Sequence, residues 1–132
     1  MSTTAQELLD ILVEDGHLTG TQAEAIRLES LKSGTSIETI LVKRQLVSEA
    51  ILIETRAKVL HIPFVTIEGK AISPDVVTYI PEPVARRYIL TPFAYDDKSK
   101  VLSVAMVDPL DFQVIEFLEK KSGKSIKPFM AT

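Results

Sequence analysis

The apolar residues of the N-terminal half recur with a constant offset of 29 positions. Leu8 falls on Ile37, Ile11 on Ile40, Leu12 on Leu41, Val13 on Val42 and Leu18 on Val47. Thr19 matches Ser48, and Arg27 matches Arg56. Within each copy the apolar positions follow helical spacing, so they form one face of a helix. A hairpin of two short amphipathic helices cannot bury that face alone, and two of them in tandem are expected to pack on each other. Two unrelated hairpins of similar length share some periodicity. One register held through two helices and a cap favours duplication of a unit, residues 7–31 and 36–60.

The helix boundaries follow from local signals. Thr4 with Glu7 makes a capping-box pattern, after which Leu8, Ile11 and Leu12, with Leu9 beside them, form the first stripe. Gly16 supplies the left-handed residue that ends such a helix. Thr19 is placed to cap a second helix that runs to about Leu31 and stops at Lys32-Ser33-Gly34. A third runs from about Ser36 to Arg44. Ser48 caps a fourth, with Ile51, Leu52 and Leu60 expected to face inward.

The chain changes character at His61–Pro63. All seven prolines lie from Pro63 onward, and β-branched runs there alternate with turn signals. "IPFVTI" reads as a short strand. Ser73-Pro74-Asp75 and Pro83 read as helix starts, since proline suits the first helical turn. "ILTPFAY" and "VLSVAMV" are strands joined by the hairpin loop Asp96–Lys100. Asp108-Pro109 is expected to open a helix that Gly123 ends, and "SIKPFMA" returns as a strand. The fold expected is α+β: a helical subdomain over 1–61, then a small α/β sandwich over 62–132.

At 132 residues the chain has enough material for a real core. A net charge of -3 gives no electrostatic footprint for a nucleic-acid backbone. Without cysteine there is no disulfide, thiol nucleophile or zinc–thiolate site, which fits a cytoplasmic location. The apolar runs are strand-length, far short of the roughly 20 residues that span a bilayer, and "MSTTAQELLD" lacks the features of a signal peptide. No direct membrane insertion is expected.

Candidate chemistry is sparse. Gly123-Lys124-Ser125 copies the end of a phosphate-binding P-loop. That motif needs a glycine where Leu118 stands, and a strand leading into a helix rather than the reverse. Gly123 therefore reads as a helix C-cap. Asp108 and Asp111 read as a cap and a dipole-complementing carboxylate. His17 and His61 have no partners at metal-ligand spacing. No catalytic, cofactor-binding or metal-ligating residue is assigned, and the chain is not expected to be an enzyme. Arg86 and Arg87 have two readings: they complement a helix C-terminus, or they pair with a partner's carboxylate or phosphate.

The element order, with "IPEPVARRYILTP", "VAMVDP" and the closing "PFMA", resembles the N-terminal domain of the ATPases of type II secretion and type IV pilus assembly. The resemblance covers the whole chain. It implies a regulatory and docking module whose ATPase core follows Thr132. It also implies binding to the cytoplasmic domain of an inner-membrane platform protein, with membrane association only through such partners; Arg86 and Arg87 are the docking candidates.

In a subset of that family, two tandem repeats form a receptor for cyclic di-GMP. Each opens with Arg-Leu-Gly, has a glycine at the turn and closes on a glutamine. Carried over, the opening triplets become Glu7-Leu8-Leu9 and Ser36-Ile37-Glu38. The turn glycine is Gly16 in the first copy and Gln45 in the second, and the closing residues are Ser30 and Val59. A dianionic ligand needs charge-assisted donors and close backbone approach, and this chain has carboxylates and side chains there instead. Docking is the reading favoured. Cyclic di-GMP is the disfavoured alternative; if bound, it would lie near Leu8, Leu12, Gly16, Ile37 and Leu41.

Overall fold

A computed structural model describes residues 3–131. The chain divides into two compact units, one ending at His61 and one starting at Ile62. The first contains α1 (Thr3–Glu14), α2 (Gly20–Ser33), α3 (Ile37–Lys43) and α4 (Glu49–Leu60). The second contains β1 (Phe64–Val65), α5 (Pro74–Val77), α6 (Glu82–Tyr88), β2 (Leu90–Asp96), β3 (Val101–Met106), α7 (Phe112–Ser122) and β4 (Ser125–Ala131).

The helical unit closes over Leu8, Leu9, Leu12, Leu18, Ile26, Ile37, Ile40, Leu41, Val47, Leu52 and Val59. Matching positions do matching work. At the first turn Asp15 N–H donates to Ile11, Gly16 to Val13 and His17 to Leu12; at the second Arg44 donates to Ile40, Gln45 to Val42 and Leu46 to Leu41. Thr19 accepts from the Gln22 amide, and Ser48 accepts from the Ile51 amide, 29 residues on. Each cap fills the acceptor role that the first helical amides require. The Gln22 side chain also accepts from the Thr19 amide at 2.9 Å, which completes a capping box in the first copy.

Three local expectations are corrected. α1 starts at Thr3, so Thr4 lies inside the helix, and the residue that would cap it is outside the described residues. Asp108 does not cap α7. That helix starts at Phe112, and the Asp111 carboxylate accepts from the Val114 amide at 3.2 Å, so the Asp-Pro step is spent in the turn before it. In the last turn of α4 the buried residue is Val59, with Leu60 only partly covered.

In the second unit the strand order is β1-β4-β3-β2. β2 and β3 form an antiparallel hairpin. β4 returns through α7 to lie parallel to β3, and β1 pairs parallel to β4. Leu102, Val104 and Met106 alternate on one face of β3 and pack with Val76, Ile80, Val114 and Leu118, the period-two pattern of a half-covered sheet. A bulge between Pro92 and Ala94 turns Phe93 out of the β2 register, and its ring meets Phe129 edge-to-face at 4.9 Å. β1 covers only two residues of β4, Met130 and Ala131. The rest of that edge offers no free donor. The Ile126 amide is bonded by the Glu119 carboxylate at 3.1 Å, position 128 is proline, and the Met130 amide donates to Pro63 at 2.9 Å. This blunts the edge against strand addition.

Candidate functional site

Two grooves on the helical unit are related by the same offset of 29 that relates the two hairpins. The first, about 340 Å³, is lined by residues that include Leu9, Asp10, Val13, Glu14, Gly20, Ala23, Glu24 and Arg27. The second, about 610 Å³, is lined by Glu38, Thr39, Val42, Lys43, Glu49, Leu52, Ile53 and Arg56. Each of the second eight is the counterpart of one in the first. Matched packing gives matched concavities between the two helices of each hairpin.

Their chemistry has parted. The first groove holds three carboxylates, Asp10, Glu14 and Glu24, against one cation, Arg27. That cation is paired with Glu24 through both guanidinium contacts, at 3.0 and 2.5 Å. The hydrogen bond with Arg27 holds the Glu24 carboxyl below its ordinary range and raises the arginine in turn. The second groove is balanced: Lys43 and Arg56 against Glu38 and Glu49. There Arg56 is held in a fork by Glu38, at 3.2 and 2.6 Å. Glu38 occupies the third position of the second opening triplet. In the first copy that position is Leu9, 1% exposed and part of the core.

Leu8, Leu12, Ile37 and Leu41 are 0–3% exposed. The structure brings them together as the interior of the helical unit. Gly16 takes φ 80° at its turn, and Gln45 adopts φ 55° at the matching position. The sequence showed the Arg27–Arg56 correspondence; the grooves themselves depend on which side chains flank it across the paired helices.

Arg86 and Arg87 lie in the last turn of α6, both exposed. Arg86 pairs with Glu82 one turn earlier. The Arg87 guanidinium lies 5.4 Å from the Tyr88 ring. Beside them is a cavity of about 540 Å³ bounded by Ile67, Ile89, Thr91, Ala105, Val107 and Ala131, with Arg86 and Glu82 at its rim. It sits where the parallel strands end, the usual place for a crevice in such sheets. Ile89 and Val107, each 64% exposed, are hidden in the sequence because they are the first apolar residue of one strand-like run and the last of the next.

The P-loop-like lysine is otherwise engaged. Gly123 caps α7 at φ 69°, and the Lys124 ammonium lies 4.3 Å from the Tyr79 ring and 5.2 Å from that of Tyr95. Among the described residues, no helix is long and apolar enough to cross a membrane.

Residues 60–132 match the MshEN domain family. The type IV pilus assembly ATPase PilB of Myxococcus xanthus is 27% identical over 93% of this chain. PilB of Thermus thermophilus is 29% identical over 92%. The chain spans only 21% and 14% of the lengths of those relatives. Among solved structures, MshE with cdg superposes with a TM-score of 0.63 at 26% identity, over 94% of this chain and 88% of that one. The N-terminal domain of XpsE superposes at 0.52 over 99% of this chain and 89% of that one, and at 21% identity it speaks for the fold alone. With the family model matched over more than half of this chain, and nearly the whole chain similar to type IV pilus assembly ATPases, this chain belongs to the MshEN domain family.

Proposed function

We propose that this chain is a regulatory and docking module of a secretion or pilus-assembly ATPase, acting through protein contact and not as a cyclic di-GMP receptor. The observation that carries the reading is the state of the two grooves. Both arginines at the matched positions are already paired within the fold, by Glu24 and Glu38. The helical unit as a whole has nine acidic and six basic residues, whereas the α/β unit has nine of each. A dianion approaching the first groove meets net negative charge. Its phosphates would also have to displace a carboxylate from each arginine. The partner proposed is the cytoplasmic domain of the inner-membrane platform protein of the same system, bound through the face that carries Arg86 and Arg87.

The cyclic di-GMP reading has two supports: the superposition on MshE with cdg, and the two cations Lys43 and Arg56 in the second groove. Ion pairs this exposed contribute little, so Glu38 is a weak competitor. Calorimetry with cyclic di-GMP separates the readings. The expected result is no heat at micromolar ligand for the native chain. Micromolar or tighter binding by the native chain overturns the docking-only reading. Binding that appears only when Glu7→Arg and Ser36→Arg are combined marks a receptor that has lost its donors.

A further inference from the structure

We infer that the Ile89–Val107 pair at the mouth of the sheet-end cavity is the apolar anchor of the docking face, and that it receives an aliphatic side chain flanked by a carboxylate on the partner. This rests on the docking reading above and names the surface and the chemistry of its occupant.

The first observation is conformational. Ile89 caps α6 at φ 51°, ψ 67°, a left-handed conformation that is costly for a β-branched residue and free for glycine. Helices commonly end on glycine at that position. An isoleucine there would be justified internally by packing, but this side chain is 64% exposed. The fold bears the strain with little packing in return. Strain held at a solvent-facing side chain points to use of that side chain by something outside.

The second observation is its neighbour. The Val107 amide donates to the Ile89 carbonyl at 3.3 Å, so the two backbones are fixed side by side, and Val107 is also 64% exposed. Two branched aliphatics stand together over a cavity of about 540 Å³ whose other walls include Ile67, Ala105 and Ala131. That volume suits one or two inserted side chains. The lining offers few polar groups, which argues against a nucleotide or phosphate, whose recognition requires several donors.

Charge fixes the remaining chemistry. Arg86 at the rim is neutralised by Glu82, while Arg87, one residue on, is exposed, with its guanidinium 5.4 Å from the Tyr88 ring. An exposed guanidinium offers a planar fork that matches a carboxylate. Addition of a strand from the partner is a poorer fit, because the β4 edge has no free donor and β2 carries Pro92 and a bulge. The occupant is thus an acidic–aliphatic segment held by side chains.

The test uses the full chain and the cytoplasmic domain of its platform protein, with affinity read by calorimetry and stability by thermal melting. Ile89→Gly, Val107→Ser and Arg87→Glu are each expected to weaken binding about tenfold or more, as loss of an anchor does. Ile89→Gly is expected to melt no lower than the native chain, because it relieves the backbone, so its binding loss cannot be ascribed to unfolding. If the native chain binds and all three variants bind within twofold of it, the anchor is wrong and the docking reading stands. If the native chain does not bind at all, the docking reading fails and takes the anchor with it. Self-association of the native chain abolished by Ile89→Gly would overturn the proposed occupant in favour of a second copy of the chain.

Discussion

The first and second hairpins of the helical unit bury the same positions and share the same turn hydrogen bonds, yet they do not share a groove. Leu12 and Leu41 are both 0% exposed, whereas Glu14 and Lys43, at matching places on the two rims, carry opposite charge. The difference separates what the fold requires from what it tolerates. Core packing at crystal-like density admits little change of volume, so the apolar register has been kept. A groove rim is solvated, and a change of charge there costs the fold almost nothing. Ligand chemistry can therefore be lost from this scaffold without loss of structure.

The largest test of that equivalence is in the core. Leu12→Ala and Leu41→Ala should each destabilise the chain by about 2–5 kcal/mol, the usual cost of a buried leucine truncation including its cavity. Chemical denaturation should place the two within about 1 kcal/mol of each other. If one is nearly silent, the hairpins are not energetic counterparts and the duplication is only geometric. A smaller contrast lies at Ile26 and Thr55, matched and each 2% exposed. The Thr55 hydroxyl donates to the Ile51 carbonyl at 2.7 Å, a back-bond inside a helix that adds little. Thr55→Val should raise stability by up to about 1 kcal/mol. A loss of stability would show that the hydroxyl is structurally required.

At the turns the two copies should respond with opposite sign. Gly16 and Gln45 both take positive φ, which only glycine does freely. Gln45→Gly should stabilise by about 1 kcal/mol, and Gly16→Gln should destabilise by a similar amount. A Cβ added at Gly16 meets nothing within 4 Å, so its cost is purely conformational. Equal effects of the same sign would mean that the side chain of Gln45 contributes an interaction that offsets its strain.

These contrasts also mark how far the residues could be read in advance. The 29-residue register and the caps at Thr19 and Ser48 were legible because they are local patterns with local physics. The strands and the Gly123 stop were legible for the same reason. Thr4 and Asp108 misled because a hydroxyl or carboxylate near an apolar run marks a start only to within a few residues. The site was harder. Arg56 is tied by Glu38, 18 residues away, and Ile89 touches Val107 across a hairpin. Neither pairing has a sequence period. The left-handed conformation of Ile89 is invisible to propensity, which assigns that conformation to glycine.

The smallest effect concerns the ion pairs that close the two grooves. Arg27 and Glu24 are three residues apart on one helix, so their pair forms with α2 itself. Glu38 and Arg56 lie on different helices and meet only when α3 and α4 pack. The Glu24 carboxyl is lowered from an ordinary 4.5, chiefly by its hydrogen bond with Arg27. A carboxyl lowered on folding contributes stability that is present above its unfolded value and is lost as pH falls through the folded one. The sign therefore requires the carboxyl's contribution to be lost as pH falls below 4.5. Being exposed, the pair should show itself in titration far more clearly than in melting. Carboxyl NMR should find Glu24 titrating below its ordinary value in the native chain and returning to it in Arg27→Gln, with little change in melting temperature at neutral pH. Glu24 titrating normally in the native chain would mean that the first groove holds a free arginine, and the case against an anionic ligand there would weaken accordingly.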